Sequence, residues 1–293
     1  MQEPSVTENA SPSPNALKPE DWAGEMGARW LANLDRFEGM LAPIGQALLD
    51  RADFVPGQRV LDIGSGGGTT TLAIANAVAP DGIALGIDIS PDLVGAAMRR
   101  AEAAGMRNAS FLRADASTVT FDTPPFDRLF SRFGSMFFEQ PVAAFSHLRS
   151  LLKGGAGVDL AVWGPPRENA WMMEMMGVLR ANVEVAQAVP RAPGPFAFED
   201  LDYLNEVLLG AGFTGIEIDA YEGLQPIGGA GVPVDEAVQF VTAAMAFGRA
   251  LEDQDAAVRE RATDDLTKLF EQHFVPGEGV LMACKAWLVK ASG

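Results

Sequence analysis

Residues 60–68 read Val-Leu-Asp-Ile-Gly-Ser-Gly-Gly-Gly, an apolar run that passes straight into a glycine-rich turn. The pattern is D-x-G-x-G-x-G, from Asp62 through Gly64 and Gly66 to Gly68. Val60, Leu61 and Ile63 have the character of a buried strand. The glycines let the backbone turn sharply and approach a ligand closely. Thr69 to Ala79 reads as a helix, so free backbone N–H groups face whatever sits at its start. The next apolar run, Ile83 to Asp88, ends on a second acid. A carboxylate there can accept hydrogen bonds from two vicinal ribose hydroxyls. The residues therefore point to a nucleoside-containing cofactor at the ends of parallel strands.

Detail selects among such cofactors. A dinucleotide fingerprint, G-x-G-x-x-G, would need its third glycine at position 69, which is Thr69. Here the glycine falls at Gly68, and Asp62 stands two residues before the first glycine. Strand and helix signals alternate onward. Ser90-Pro91-Asp92 reads as a helix start, and that helix runs to about Ala104. Ala109 to Asp115 and Phe126 to Ser131 read as strands, Pro141 to Leu152 as a helix, and Gly157 to Trp163 as a fifth strand. Such alternation predicts a doubly wound, mostly parallel sheet with helices on both faces.

Residues 55–165 resemble class I S-adenosylmethionine-dependent methyltransferases, most of all the ubiquinone/menaquinone-biosynthesis group. The likeness is carried by Arg59-Val-Leu-Asp-Ile-Gly-Ser-Gly, Gly86-Ile-Asp-Ile-Ser-Pro, Ala114-Asp-Ala and Leu151-Leu-Lys-Gly-Gly. Ser65 departs from the cysteine or threonine common in that loop. The resemblance implies S-adenosyl-L-methionine as cofactor, in a seven-stranded sheet whose last strand is antiparallel. Its tail carries an ammonium that Asp62 would meet directly or through water. Asp88 would hold the ribose, and Asp115 and Ala116 would flank the adenine. Ser131 would lie under the methionine part. Gly64, Ser65, Gly66 and Ile89 complete the expected cofactor set.

Past the fifth strand the chain carries extra material. Asn169 to Val189 reads as a helix with a methionine-rich centre. Phe198 to Leu209 precedes a sixth strand, Gly215 to Tyr221. Val234 to Leu251 and Asp255 to His273 read as two inserted helices before a last strand, Val280 to Val289. At the front, Trp22 to Asp50 reads as two helical pieces split by Pro43. Residues 1–20 read as a disordered arm, and residues 21–293 as a single domain. Within it, residues 21–50, 166–195 and 232–275 would cover the carboxyl ends of the strands as a substrate lid.

The expected substrate pocket joins Phe133, Met136, Phe137 and Trp163 to Met173 and Met176, whose thioethers fill irregular gaps. Methyl transfer needs alignment more than acid–base help. A base is needed only where the acceptor must lose a proton. The chain has two histidines. His147 reads as structural; His273, after the insertion, is the weak candidate base, with Asp35, Glu139 and Tyr221 weaker still. No metal-binding cluster is recognisable, so no metal is expected.

Composition narrows the partners. Of the 293 residues, 48% are hydrophobic, enough for a substantial core, and no apolar stretch has membrane-spanning length. The N-terminus lacks a signal-peptide pattern, and the single cysteine, Cys284, excludes an internal disulfide; the cytoplasm is the default compartment. A net charge of −17 argues against nucleic acid. A small, mainly hydrophobic or aromatic acceptor, methylated at oxygen or carbon by a monomer or homodimer, is the leading expectation. A nicotinamide-dependent oxidoreductase, a non-catalytic cofactor-binding partner protein, and a cofactor-assisted elimination or cyclisation are the alternatives.

Overall fold

The computed structural model describes residues 19–293. The expected N-terminal arm lies outside that range, except for Pro19 and Glu20, which begin the first helix, α1 (Pro19–Ala23). Two more helices follow, α2 (Glu25–Ala32) and α3 (Leu34–Ala52). The breaks fall at Gly24 and Asn33, not at Pro43, which lies inside α3. Proline costs a helix interior a hydrogen bond and a ring clash, about 3 kcal/mol. Here α3 buries Phe37, Met40, Leu41, Ile44 and Leu48 along one stripe, and that packing outweighs the cost.

The core alternates as expected through β1 (Arg59–Ile63), α4 (Thr69–Ala77), β2 (Ile83–Asp88), α5 (Pro91–Ala103), β3 (Ala109–Arg113), β4 (Phe126–Arg132), α6 (Pro141–Ser150) and β5 (Leu152–Trp163). Ser90 caps α5 through its hydroxyl, which accepts from the Leu93 N–H. Beyond β5 lie α7 (Ala170–Asn182), α8 (Leu201–Gly210), β6 (Thr214–Pro226), α9 (Val234–Ala244), α10 (Ala246–Arg249), α11 (Ala256–Gln272), the short β7 (Phe274–Val275) and β8 (Gly279–Ser292). The sheet runs β3-β2-β1-β4-β5-β8-β6, with β7 pairing only with β8. The first five strands are parallel to one another, and β8 is antiparallel to both β5 and β6. This is the α/β architecture the sequence implied, with β7 as an unforeseen two-residue addition.

Two helix readings change. The segment read as one helix from Val234 to Leu251 is divided at Met245, which is extended at φ −99°, ψ 170°. The segment read as helical to Val189 stops at Asn182, where Val183 turns extended.

Candidate active site

The carboxyl ends of β1, β2, β3, β4 and β5 open into one cavity of about 320 Å³. Its floor is the glycine turn. A side chain at Gly64 would place its Cβ 2.6 Å from the Gly134 Cα, so the loops after β1 and β4 touch backbone to backbone. That closeness admits only glycine at both positions. Phe133, just before, is held at φ 64° and stacks on Trp163 with ring centroids 4.3 Å apart. Such a conformation in a bulky residue costs about 1–3 kcal/mol and persists where surrounding packing over-determines it. A Cβ at Gly66 would meet nothing within 4 Å, so this turn leaves open space towards the cavity.

Asp88 ends β2 at the cavity edge. Its two carboxylate oxygens accept from the Gly66 N–H at 2.8 Å and the Ser90 N–H at 2.9 Å. Each oxygen has a second lone pair, so capacity for vicinal hydroxyls remains. Burial pushes its carboxyl above the ordinary range, against the pull of these N–H donors. Asp115, after β3, is steadied by the Ser117 N–H and hydroxyl at 2.8 and 2.7 Å. Gly64, Ser65, Gly66, Asp88, Ile89, Asp115 and Ala116 all line the cavity.

Asp62 does not line it. The structure sets Asp62 behind the glycine turn, where one oxygen accepts from the Thr70 and Thr71 hydroxyls at 2.7 and 2.6 Å. It thereby ties the first turn of α4 to β1. Its other oxygen, Oδ1, is buried without a hydrogen-bond partner, as is the Ser65 hydroxyl. Desolvation raises the Asp62 carboxyl to about 6, although the two threonines oppose it. Ser131 is likewise set back: its hydroxyl donates to the Ile63 carbonyl at 2.9 Å, and the neighbouring Arg132 lines the cavity instead. Successive side chains of β4 point to opposite faces, which explains the exchange.

Aromatic side chains make the opposite wall. One run passes from Phe240 through Phe37, Trp30 and Trp22 to Phe137; Trp30 and Phe37 lie parallel at 3.7 Å. A second continues from Phe133 and Trp163 to Trp171. Phe133, Met136, Phe137 and Trp163 line the cavity, but Met173 and Met176 do not. Met173 is exposed, and Met176, also on α7, is partly buried against the core. Met172 takes the position on the cavity wall. The helix has apolar residues on several faces, so its sequence did not define which one turns inward.

His273 is also elsewhere. Its Nε2 meets the Glu174 carboxylate at 2.7 Å, joining the end of α11 to α7 away from the cavity. His147 bonds the Val119 carbonyl at 2.7 Å, a structural role. Asp35, Glu139 and Tyr221 do not line the cavity. Sequence reading missed the ion pair of Glu38 and Arg132 and the arginines Arg29 and Arg249, all of which line it. An arginine directly after the β4 run was the one local signal; the others reach the site through long-range packing. Among the described residues, no group of three or more His, Cys, Asp or Glu side chains is placed to hold a metal ion.

Comparison with known proteins supplies the class. Residues 60–155 match the methyltransferase domain family. The chain contains a class I methyltransferase domain. It is 34% identical over 116 residues to aklanonic acid methyltransferase DauC of Streptomyces sp. (strain C5), covering 40% of this chain and 53% of that protein. It is 28% identical over 151 residues to nocamycin O-methyltransferase of Saccharothrix syringae, covering 51% and 53%. The chain spans about half the length of these curated relatives. In fold it is similar to the YcgJ protein of Bacillus subtilis, with a TM-score of 0.55 at 17% identity over 86% of this chain and 98% of that one. It is also similar to Haemonchus contortus phosphoethanolamine N-methyltransferase 2, solved with S-adenosyl-L-methionine, with a TM-score of 0.54 at 17% identity over 95% and 60%.

S-adenosyl-L-methionine is the cofactor of this class, and the site fits it. The orphaned Ser65 hydroxyl lies in the glycine turn that lines the cavity, where an ammonium would be welcome, with the orphaned Asp62 oxygen buried behind that turn. Asp88 and Asp115 stand at the ends of the next two strands, where a ribose and an adenine amine would be met.

Proposed function

We propose that the protein transfers a methyl group from S-adenosyl-L-methionine to a small, mainly hydrophobic or aromatic acceptor, at oxygen or carbon. One observation carries the reading. A single cavity joins the strand ends that carry Asp88 and Asp115 to an aromatic wall built from α1, α2, α3, the segment after β4, β5 and α7. A face that only bound the cofactor would have no use for a second, apolar compartment opening beside it. The aklanonic acid and nocamycin methyltransferase names of the relatives also favour small organic acceptors.

When bound, the cofactor supplies a methyl group already activated on its sulfonium. The chain's contribution is alignment and exclusion of water. Gly64, Ser65 and Gly66 let the ligand approach the backbone, and Asp88 holds it by its hydroxyls. Phe133 and Trp163 present a rigid stacked pair against which a flat acceptor can lie. The residues of α2, α3, α7 and α10 form the cover that shields it from solvent.

The test is an assay with radiolabelled cofactor on phenols, quinols, fatty acids, aromatic acids and nucleotides, with and without chelator. Transfer to the aromatic or apolar members, unchanged by chelator, is expected. Activity confined to phosphorylated or nucleic-acid acceptors, or abolished by chelator, would overturn the reading.

A further inference from the structure

Six ionisable side chains line the cavity: Arg29, Glu38, Asp88, Asp115, Arg132 and Arg249. Five are engaged. Asp88 and Asp115 accept backbone N–H groups, Glu38 pairs with Arg132, and Arg29 holds Glu25 and Glu252. The Arg249 guanidinium makes no hydrogen bond and no ion pair with any described residue, although the residue is half-buried.

The chain goes to some trouble to place it there. The break at Met245 ends α9 and turns α10 so that Ala244, Met245, Ala246 and Arg249 all reach the cavity. The corner is tight: a Cβ at Gly248 would lie 1.7 Å from the Thr242 carbonyl oxygen, so only glycine closes it. A partly desolvated guanidinium beside an apolar wall is costly without a counter-charge. Its planar fork of donors matches a carboxylate in two parallel hydrogen bonds.

A second observation is independent of Arg249. No histidine, lysine, cysteine or tyrosine is among the described residues lining the cavity, and its three carboxylates already have partners. The site thus offers no spare base for removing a proton from a neutral acceptor. An acceptor that arrives already ionised requires none. The overall charge of −17 repels anions at long range, so one must be met by a local cation.

We infer that the acceptor carries a carboxylate and that Arg249 recognises it, setting specificity for aromatic acids over their neutral counterparts. This rests on the methyltransferase reading above. Titration calorimetry of the full chain saturated with S-adenosylhomocysteine tests it, using 2-naphthoate and anthracene-2-carboxylate against their primary amides. Wild type should bind a carboxylate roughly tenfold to a hundredfold tighter than its amide, the range of a charged hydrogen bond. Arg249→Met should lose that preference, Arg249→Lys should keep part of it, and both should bind S-adenosylhomocysteine as wild type does. A wild type without the preference, or one that survives Arg249→Met, overturns the inference. So does a loss of S-adenosylhomocysteine affinity in Arg249→Met, which would assign the arginine to the cofactor. A wild type that binds no S-adenosylhomocysteine would instead remove the methyltransferase reading itself, and this inference with it.

Discussion

Glu38 and Arg132 form an ion pair at 2.7 Å between α3 and the last residue of β4, with side chains only 11% and 9% exposed. The pair fastens the N-terminal cover to the sheet at the cavity wall. The arginine stem runs along Gly45, where a Cβ would lie 3.1 Å from it. Removing one partner from a pair this buried strands the other charge. Glu38→Gln should therefore cost about 3–5 kcal/mol of unfolding free energy, and Glu38→Gln/Arg132→Met should recover most of it. Urea unfolding at fixed pH and salt gives both numbers. A loss below ~1 kcal/mol in the single variant would equate the pair with a surface contact.

Asp62 makes stability depend on pH in an uncommon direction. Its folded carboxyl titrates at about 6, above its ordinary value of 3.8, because burial outweighs the Thr70 and Thr71 hydrogen bonds. Between those values the folded protein holds a proton that the unfolded chain has lost. Its contribution is therefore complete below pH 3.8 and fades as pH rises through about 6. The difference is on the order of 3 kcal/mol. Asp62→Asn removes the titration. The unfolding free energy of wild type relative to Asp62→Asn should fall from about pH 4 to pH 6 and then level off. An ammonium near the orphaned Oδ1 would favour the ionised form, so saturating S-adenosylmethionine should flatten the wild-type slope. A difference that rises with pH in the free protein would contradict the burial argument.

Of the residues expected to hold the cofactor, Asp62 and Ser131 are set back from the cavity, and those that line it were legible because their signals are local. Gly64, Ser65 and Gly66 declare a turn in consecutive letters, and Asp88 and Asp115 each end a recognisable strand. The acceptor half of the site was not. Arg249 reaches the cavity only because Met245 breaks a segment whose composition favours one continuous helix. Glu38 meets Arg132 across 94 positions of sequence. Pro43 looked like a helix break because proline usually is one, and the buried stripe of α3 overrode it. His273 was suspected for its chemistry alone, and long-range packing gave it Glu174.

The methionines of α7 separate the two kinds of reading. Side-chain chemistry nominated Met173 and Met176, whereas the fold turns Met172 to the cavity and leaves Met173 39% exposed. The phase of the helix is set from outside it: Asn182 bonds Asp265 and Glu174 meets His273, so α11 claims one face. Met172→Ala should weaken acceptor binding by about 1–2 kcal/mol, reflecting a loss of ~0.8 kcal/mol per methylene-sized group removed from contact. Met173→Ala should stay within about 0.5 kcal/mol of wild type in both stability and acceptor binding. Calorimetry with an aromatic acid on the S-adenosylhomocysteine-loaded variants measures both. If Met173→Ala weakened the acceptor and Met172→Ala did not, α7 would be rotated from the position described, and the wall facing the transferred methyl group would need to be redrawn.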